Sequence, residues 1–128
     1  MMKPTTDILT ILKDYLCSRK NNPFNQRIYI GYPKLENLTP ILGITLLDWD
    51  DPSQAKSKGL GIGNIWRVSL VLFLRSKDEN RKETMIRYLI TTLENMDRTK
   101  YVVKKQACNI LEDGDVIQVT LDINITGM

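Results

Sequence analysis

The sequence carries few of the side chains on which enzymes and metal sites depend. It contains no histidine and only two cysteines among its 128 residues. Without histidine there is no imidazole to act as a general base, to activate a serine or cysteine nucleophile, or to bind a catalytic zinc ion. Cys17 and Cys108 lack the further ligands that a structural zinc site needs. We therefore expect no catalytic activity, no metal site and no cofactor.

Two local patterns resemble ligand sites more closely. The segment Gly59–Asn64 alternates glycine with apolar residues, but it lacks the last glycine of a dinucleotide-binding loop and precedes a strand instead of a helix. Asp48, Asp50 and Asp51 could hold a divalent cation, yet acids clustered beside a proline are more typical of a turn. We interpret the first segment as a flexible hairpin tip and the second as a turn.

The densest basic segment contains Arg98, Lys100, Lys104 and Lys105. Lysine contacts phosphate without reading a base sequence, so this segment could contact DNA nonspecifically. Salt bridges at a subunit interface or a plain solvated edge are the favoured interpretations. On a strand, Lys104 and Lys105 would point to opposite faces and would not form one surface. Lysines along an edge strand also discourage unwanted strand pairing.

Two amphipathic helices are predicted to support these segments. The first covers Asp7–Leu16 and the second covers Asp78–Met96, and each has apolar residues three and four positions apart along one face. The four residues from Ser76 to Glu79 have the capping-box pattern that begins a helix.

Apolar alternation predicts five strands, with the last two joined by a turn at Asp113 and Gly114. The predicted strands are Arg27–Tyr32, Ile41–Trp49, Asn64–Arg75, Tyr101–Leu111 and the segment from Ile117 to Ile125. The order α-β-β-β-α-β-β predicts one α+β domain over residues 1–128, with a mostly antiparallel sheet and two helices packed on one of its faces.

A long loop separates the second and third predicted strands. Residues 50–63 are polar at first and glycine-rich afterwards, and loops of this length in compact domains are usually functional or mobile. The flanking tryptophans either pack at the base of the hairpin or anchor an interface. We expect a flexible hairpin loop that contacts another protein. The predicted interface residues are Trp49, Asp50, Asp51, Lys56, Lys58, Leu60, Ile62 and Trp66.

Charge alternates along the chain, although the formal net charge is only +3. Residues 1–34 and 67–105 are basic, whereas residues 35–66 and 106–128 are acidic. If these segments occupy different faces, copies of the chain can pair head to tail. No apolar stretch suits a signal peptide or a membrane span, so we expect a protein that is made in the cytoplasm and does not enter a membrane.

The order of the elements, the chain length and the placement of the long loop resemble the tail-terminator (tail-completion) proteins of long-tailed phages and related contractile particles. The matching elements are the helix Asp7–Leu16, the strand Arg27–Tyr32, the hairpin Ile41–Arg75 with its loop at 50–63, the helix Asp78–Met96 and the closing hairpin that ends at Gly127. The resemblance implies a structural virion protein that forms a ring, commonly of six copies, on the head-proximal end of the tail tube. Such a ring stops tube polymerisation and presents a surface to the head–tail connector.

The resemblance also implies partners and a location. The partners would be further copies of the chain, the tail-tube protein and the head–tail connector, in a virion tail assembled in the host cytoplasm. The basic segment could line a lumen through which DNA passes, and no catalytic residue is implied. Two other functions stay open: a head–tail connector or other minor virion component, and a small nucleic-acid-binding regulator built around Arg98–Lys105.

Overall fold

The computed structural model describes residues 4–24, 26–34, 40–50 and 65–127. Along the chain the elements are helix α1 (Pro4–Cys17), strands β1 (Ile28–Ile30), β2 (Ile41–Asp50) and β3 (Ile65–Arg75), helix α2 (Lys82–Glu94), and strands β4 (Tyr101–Asp113) and β5 (Val116–Gly127). The order and the α+β class predicted from the sequence are confirmed. No helix within the described residues is both long and apolar enough to cross a membrane.

The five strands form one sheet in the order β1-β2-β3-β5-β4. β1 runs parallel to β2, and every other pair of neighbours is antiparallel. Because β1 and β2 point the same way, a tight hairpin turn cannot join them. The two edge strands differ greatly, since β1 has 3 residues and β4 has 13.

The core lies between the sheet and the two helices, which pack on the same face of the sheet. Strict alternation along β5 gives this face Ile117, Val119, Leu121, Ile123 and Ile125, each at most 2% exposed. These side chains belong to one apolar cluster with residues of both helices, among them Leu12, Leu16, Leu89 and Leu93. Each fully buried aliphatic side chain of this kind stabilises the fold by about 1.5–3 kcal/mol.

A polar contact joins the two helices at the edge of this core. The Tyr15 hydroxyl of α1 donates to the Thr92 carbonyl oxygen of α2 at 3.0 Å. The Arg19 guanidinium lies 4.6 Å from the centre of the Tyr15 ring, in a cation–π arrangement. The hydrogen bond from Tyr15 to Thr92 links α1 to α2, and the Arg19 contact holds the Tyr15 ring in place.

The segment before α2 differs from the sequence prediction. Residues Ser76–Arg81 form a short 3-10 helix, its N-cap is Arg75, and no side chain caps it, so the predicted capping box is wrong. The Ser76 hydroxyl donates instead to the Gly114 carbonyl oxygen at 3.2 Å, and the Ser76 N–H donates to the Asp115 carbonyl oxygen at 2.9 Å. The turn between β4 and β5 therefore supplies acceptors for both the N–H and the hydroxyl of Ser76. In a capping box the N–H would also find an acceptor, but the hydroxyl oxygen would itself accept from a helix N–H.

β1 is shorter than the predicted strand because the chain turns at Gly31. The φ angle of Gly31 is +104°, a backbone conformation that residues with a Cβ atom rarely adopt. Its N–H donates to the Ile44 carbonyl oxygen at 2.8 Å, which closes the pairing of β1 with β2. Residues 31–34, here called the crossing segment, then pass onto the face of the sheet opposite the helices.

The crossing segment packs on this second face, here called the open face. The Tyr32 ring meets Phe73 of β3 edge to face at 5.8 Å between centroids, and its hydroxyl donates to the Gln118 Oε1 atom of β5 at 3.1 Å. Phe73 is only 7% exposed although neither of the two described α-helices lies on this face. A glycine at position 43 of β2 leaves room for Pro33.

The hairpin between β4 and β5 is confirmed, with its turn one residue later than predicted. Asp113 pairs with Val116, so the two turn residues are Gly114 and Asp115. Gly114 has a φ of +60°, which explains why glycine is needed there. Further along β4, the register shifts between Lys105 and Ala107, and Gln106 forms a bulge.

Candidate assembly surfaces at the two sheet edges

The exposed apolar side chains are concentrated on the two edge strands. The large apolar residues exposed among the described ones are Ile11, Tyr29, Ile30, Tyr32, Leu47, Val102, Ile110 and Leu111. Two of these lie on β1 and three lie on β4. Single exposed apolar residues are normal on a protein surface, but clustering along an edge is typical of an interaction site.

β4 is an open edge along nearly its whole length. It pairs with β5 on one side, and no other described strand lies on its other side. Among its 13 residues only Val103 is buried, and Ile110 and Leu111 are 47% and 61% exposed. An edge of this kind presents backbone N–H and C=O groups that can pair with another strand.

The two halves of β4 differ in how well they are protected against strand pairing. The first half carries Lys104 and Lys105 and ends at the bulge of Gln106, and lysines and bulges are the usual means of blocking an edge. The second half, Ala107–Asp113, contains no lysine, proline or bulge. The second half is therefore the part of β4 that is suited to strand addition.

β1 offers a short complementary edge. The N–H of Leu42 donates to the carbonyl oxygen of Arg27 at 3.0 Å, and the N–H of Gly31 donates to the carbonyl oxygen of Ile44 at 2.8 Å. The backbone groups of Arg27 and Gly31 therefore face β2. The backbone groups of Ile28 and Ile30 therefore face away from β2, because successive residues of a strand alternate in direction.

The sequence carries a signal for these edge residues, namely pairs of consecutive apolar residues on a strand. Two consecutive apolar residues on a strand cannot both face one core, since successive side chains point to opposite faces. Tyr29–Ile30 and Ile110–Leu111 are such pairs, whereas the prediction relied on the tryptophans and charges of the hairpin loop.

The predicted basic patch does not form one surface. Lys104 pairs with Asn124 on the open face, and Lys105 pairs with Ile123 on the helix-covered face. The prediction that these two lysines point to opposite faces is confirmed. Arg98 and Lys100 lie in the turn before β4, where Arg98 donates to Asn95 at 2.5 Å and the Lys100 ammonium lies 3.9 Å from an Asp97 carboxylate oxygen.

Most of the predicted hairpin interface lies outside the described residues: Asp51, Lys56, Lys58, Leu60 and Ile62, together with the side chains of Trp49 and Asp50. Asp50 itself belongs to β2, so the strand extends one residue beyond the predicted end. Trp66 is 6% exposed and packs beside Tyr101 at 6.4 Å between centroids. A tryptophan buried to this extent offers little area to a partner and instead supports the base of the hairpin.

The predicted acidic cluster contributes one observed ion pair. The Arg67 guanidinium lies 2.9 Å from an Asp48 carboxylate oxygen; the Asp48 side chain is exposed and the Arg67 side chain is partly buried. Within the described part of the chain, no three side chains of histidine, cysteine, aspartate or glutamate lie together as a metal site would require. Cys17 is exposed and Cys108 is half-buried, and both thiols are free.

Two surface clefts bring together no recognisable catalytic group. A cleft of about 460 Å³ is lined by Cys17, Arg19, Lys20, Asn22 and Gln26. A cleft of about 180 Å³ is lined by Asn21, Pro23, Asn80, Arg81, Thr84, Met85 and Tyr88. Among the described residues that line them, neither cleft has an aspartate or glutamate side chain.

Among the described residues, Tyr88 has a pKa that departs clearly from its ordinary value. Burial raises the pKa of Tyr88, while the Thr92 side chain and the charge of Arg19 act in the opposite direction. Its hydroxyl oxygen is buried without a hydrogen-bond partner among the described residues. This hydroxyl lies at the α1–α2 contact, so it affects stability more directly than chemistry.

No protein-family model matches the sequence, and no curated protein matches it either. Among the described residues, both edges of the sheet carry exposed apolar side chains, and we take these edges as the candidate surfaces.

Proposed function

We propose that this protein is a structural component of a phage tail, a terminator that forms a ring on the head-proximal end of the tail tube. The observation that carries the proposal is the presence of exposed apolar side chains on both edge strands of one sheet. In the proposed ring these edges contact neighbouring copies.

Two different edges favour a ring over a simple dimer. In a two-fold dimer the same surface of each copy meets itself, so one interaction surface is enough. In a head-to-tail assembly each copy uses two different surfaces, and the assembly closes into a ring when the rotation between copies closes. Exposed Ile30 at one edge and Leu111 at the other provide two such surfaces.

The ring would stop tube polymerisation with one end and meet the head–tail connector with the other. The predicted loop at 50–63 would reach a neighbouring copy or the tube protein. Lys104, on the open face, would contribute to a lumen that contacts DNA without sequence readout if that face points to the ring axis. The division of Lys104 and Lys105 between two faces gives no support to a DNA-binding regulator.

Electron microscopy of particles assembled without this protein tests the proposal. Loss of a terminator leaves the tube free to grow, so we expect tails of uncontrolled length. Tails of normal length that are detached from heads would indicate a connector instead and would contradict the terminator function. A complemented mutant that produces the intact chain serves as the control and should restore tails of uniform length.

A further inference from the structure

We infer that β4 of one copy adds to β1 of the next copy, so that the sheets of neighbouring copies join edge to edge around the assembly. The inference rests on the proposed ring and specifies its subunit contact. It assigns the contact to the bulge-free second half of β4 and to the residues of β1.

The register of the sheet places these two edges at the same height. Paired residues define two rows across the sheet: Ile28–Leu42–Leu72–Val119–Ile110 and Ile30–Ile44–Leu70–Leu121–Cys108. A neighbouring copy displaced sideways along these rows therefore brings its β1 against the segment Cys108–Ile110. This segment lies within the half of β4 that has neither bulge nor lysine.

The strand directions also fit. β1 is parallel to β2, and three antiparallel pairings lead from β2 to β4, so β4 runs opposite to β1 within each copy. A neighbouring copy rotated so that it continues the twist of the sheet would thus pair β4 with β1 as antiparallel neighbours. Ile28 and Ile30, whose backbone groups face away from β2, would supply the hydrogen bonds.

Apolar side chains would meet on both faces of the joined sheet. Ile30 follows the buried Ile28 on the helix-covered face, where it would lie opposite Cys108 and diagonal to Ile110 of the neighbour. On the open face Tyr29 would lie opposite Asn109 and diagonal to Leu111. Opposite and diagonal cross-strand pairs of this kind stabilise a sheet by about 0.2–1 kcal/mol each.

The charges at this contact are complementary. Next to Ile28 lies Arg27, which would sit beside Leu111 of the neighbour and diagonal to its Asp113. The Nε atom of Arg27 already donates to the Pro40 carbonyl oxygen at 3.1 Å, which holds the side chain near this edge. The net charges of the segments that contain β1 and the second half of β4 are also complementary, since residues 1–34 are basic and residues 106–128 are acidic.

Disulfide trapping tests the register directly. In a Cys17→Ser background, Ile30→Cys would lie opposite the native Cys108 of the next copy, at a separation that disulfide geometry accepts. Mild oxidation should then give a ladder of dimer, trimer and higher covalent species on a non-reducing gel. Neither Cys17→Ser alone nor Cys17→Ser/Cys108→Ser/Ile30→Cys should give the ladder. Trapping also captures transient encounters, so an absent ladder overturns the inference.

A pair of charge variants supplies an independent readout. Leu111→Lys places a lysine in the unprotected half of β4 and should abolish both the oligomer and the ladder. Ile11→Lys, on the exposed surface of α1, is the matched control and should leave both intact while each variant remains folded. Equal assembly of Leu111→Lys and the unmodified chain would contradict the inference.

The results also separate this contact from the proposed function. A ring seen by mass without the covalent ladder of the Ile30→Cys variant overturns the β1–β4 register and leaves the terminator proposal standing. Covalent species that stop at the dimer and appear with Cys17→Ser alone would indicate a two-fold pairing of β4 with β4, which also overturns the inference. The Ile30→Cys variant could give the ladder while particles assembled without the protein have tails of normal length. This combination would support the β1–β4 contact and overturn the terminator function.

Discussion

Gly43 shows how a single residue controls which segment covers the open face. A Cβ atom at this position would overlap Pro33 Cδ and would lie 2.5 Å from the Gly31 carbonyl oxygen. Both distances are far shorter than van der Waals contact. The Gly31 oxygen is a backbone atom, which cannot move aside as the end of a flexible side chain can. The crossing segment can therefore approach β2 only where β2 has a glycine.

We predict that Gly43→Ala lowers the free energy of unfolding by about 1–3 kcal/mol, the usual cost of forcing extra volume into a packed site. Urea unfolding followed by tryptophan fluorescence measures this change. Adding Pro33→Ala removes part of the clash, so the double variant should recover part of the loss. Independent, additive effects of the two substitutions would contradict the packing explanation.

Tyr88, at the contact between α1 and α2, makes the folding stability depend on pH. Burial raises the pKa of Tyr88, so the folded protein holds the phenolic proton at pH values where an unfolded chain, with an ordinary pKa of about 10, has released it. The folded state then binds more protons than the unfolded state, and stability falls as the pH rises above about 10. Below that pH this contribution is fully present.

The expected result is a smaller loss of stability for Tyr88→Phe than for the unmodified chain between pH 8 and pH 11, because phenylalanine does not ionise. Urea unfolding at both pH values measures the difference, and comparing the two proteins cancels the titration of shared groups. An equal loss in the two proteins would show that Tyr88 does not contribute to the alkaline instability.

At the scale of the elements, the hairpin between β4 and β5 depends on the backbone of its turn. Gly114 has a φ of +60° and no neighbouring atom within 4 Å of where a Cβ would lie, so a substitution there is opposed by backbone conformation alone. We predict that Gly114→Ala costs about 1–2 kcal/mol, as measured by thermal or urea unfolding.

Asp115→Ala in the same turn is the matched comparison for Gly114→Ala. Asp97 is the only non-glycine residue with a positive φ among the described residues, so Asp115 has no such backbone strain. Its carboxylate lies 3.7 Å from the Arg75 guanidinium and is 73% exposed, and exposed ion pairs contribute under about 1 kcal/mol. A larger loss for Asp115→Ala than for Gly114→Ala would contradict the conformational argument.

The hairpin loop provides a further test at this scale. The apolar cluster between the sheet and the helices already joins described residues of both helices and all five strands. We therefore predict that replacing Ser53–Gly63 by a short glycine linker leaves the circular dichroism spectrum and cooperative unfolding intact while weakening assembly on the tail tube. Loss of folding would show that this segment contributes to the core.

Much of the fold was predictable because it depends on local patterns. Alternation predicted β3 and β5, apolar spacing predicted both helices, and Gly114 predicted the hairpin. The parallel pairing of β1 with β2 was not predicted, because it depends on contacts between residues distant in sequence. The same holds for the packing of Tyr32 on Phe73 and for the Ser76 hydrogen bonds that replace a capping box.

At the scale of the whole molecule, the candidate site was only partly predictable. The sequence excluded histidine chemistry and favoured contacts between copies, and it indicated the separate directions of Lys104 and Lys105. It did not indicate which strands form the edges, because the order β1-β2-β3-β5-β4 differs from the order along the chain. Only that order brings Ile30 to one edge and Leu111 to the other.

The measurement that tests the central claim most directly is the native mass of the purified chain, taken alone and with the tail-tube protein of the same particle. Lateral association through two different edges predicts one closed species whose mass is a whole-number multiple of 14.8 kDa, above a dimer. The Leu111→Lys variant should remain at the mass of one chain. A monomer in both conditions for the unmodified protein would contradict the account.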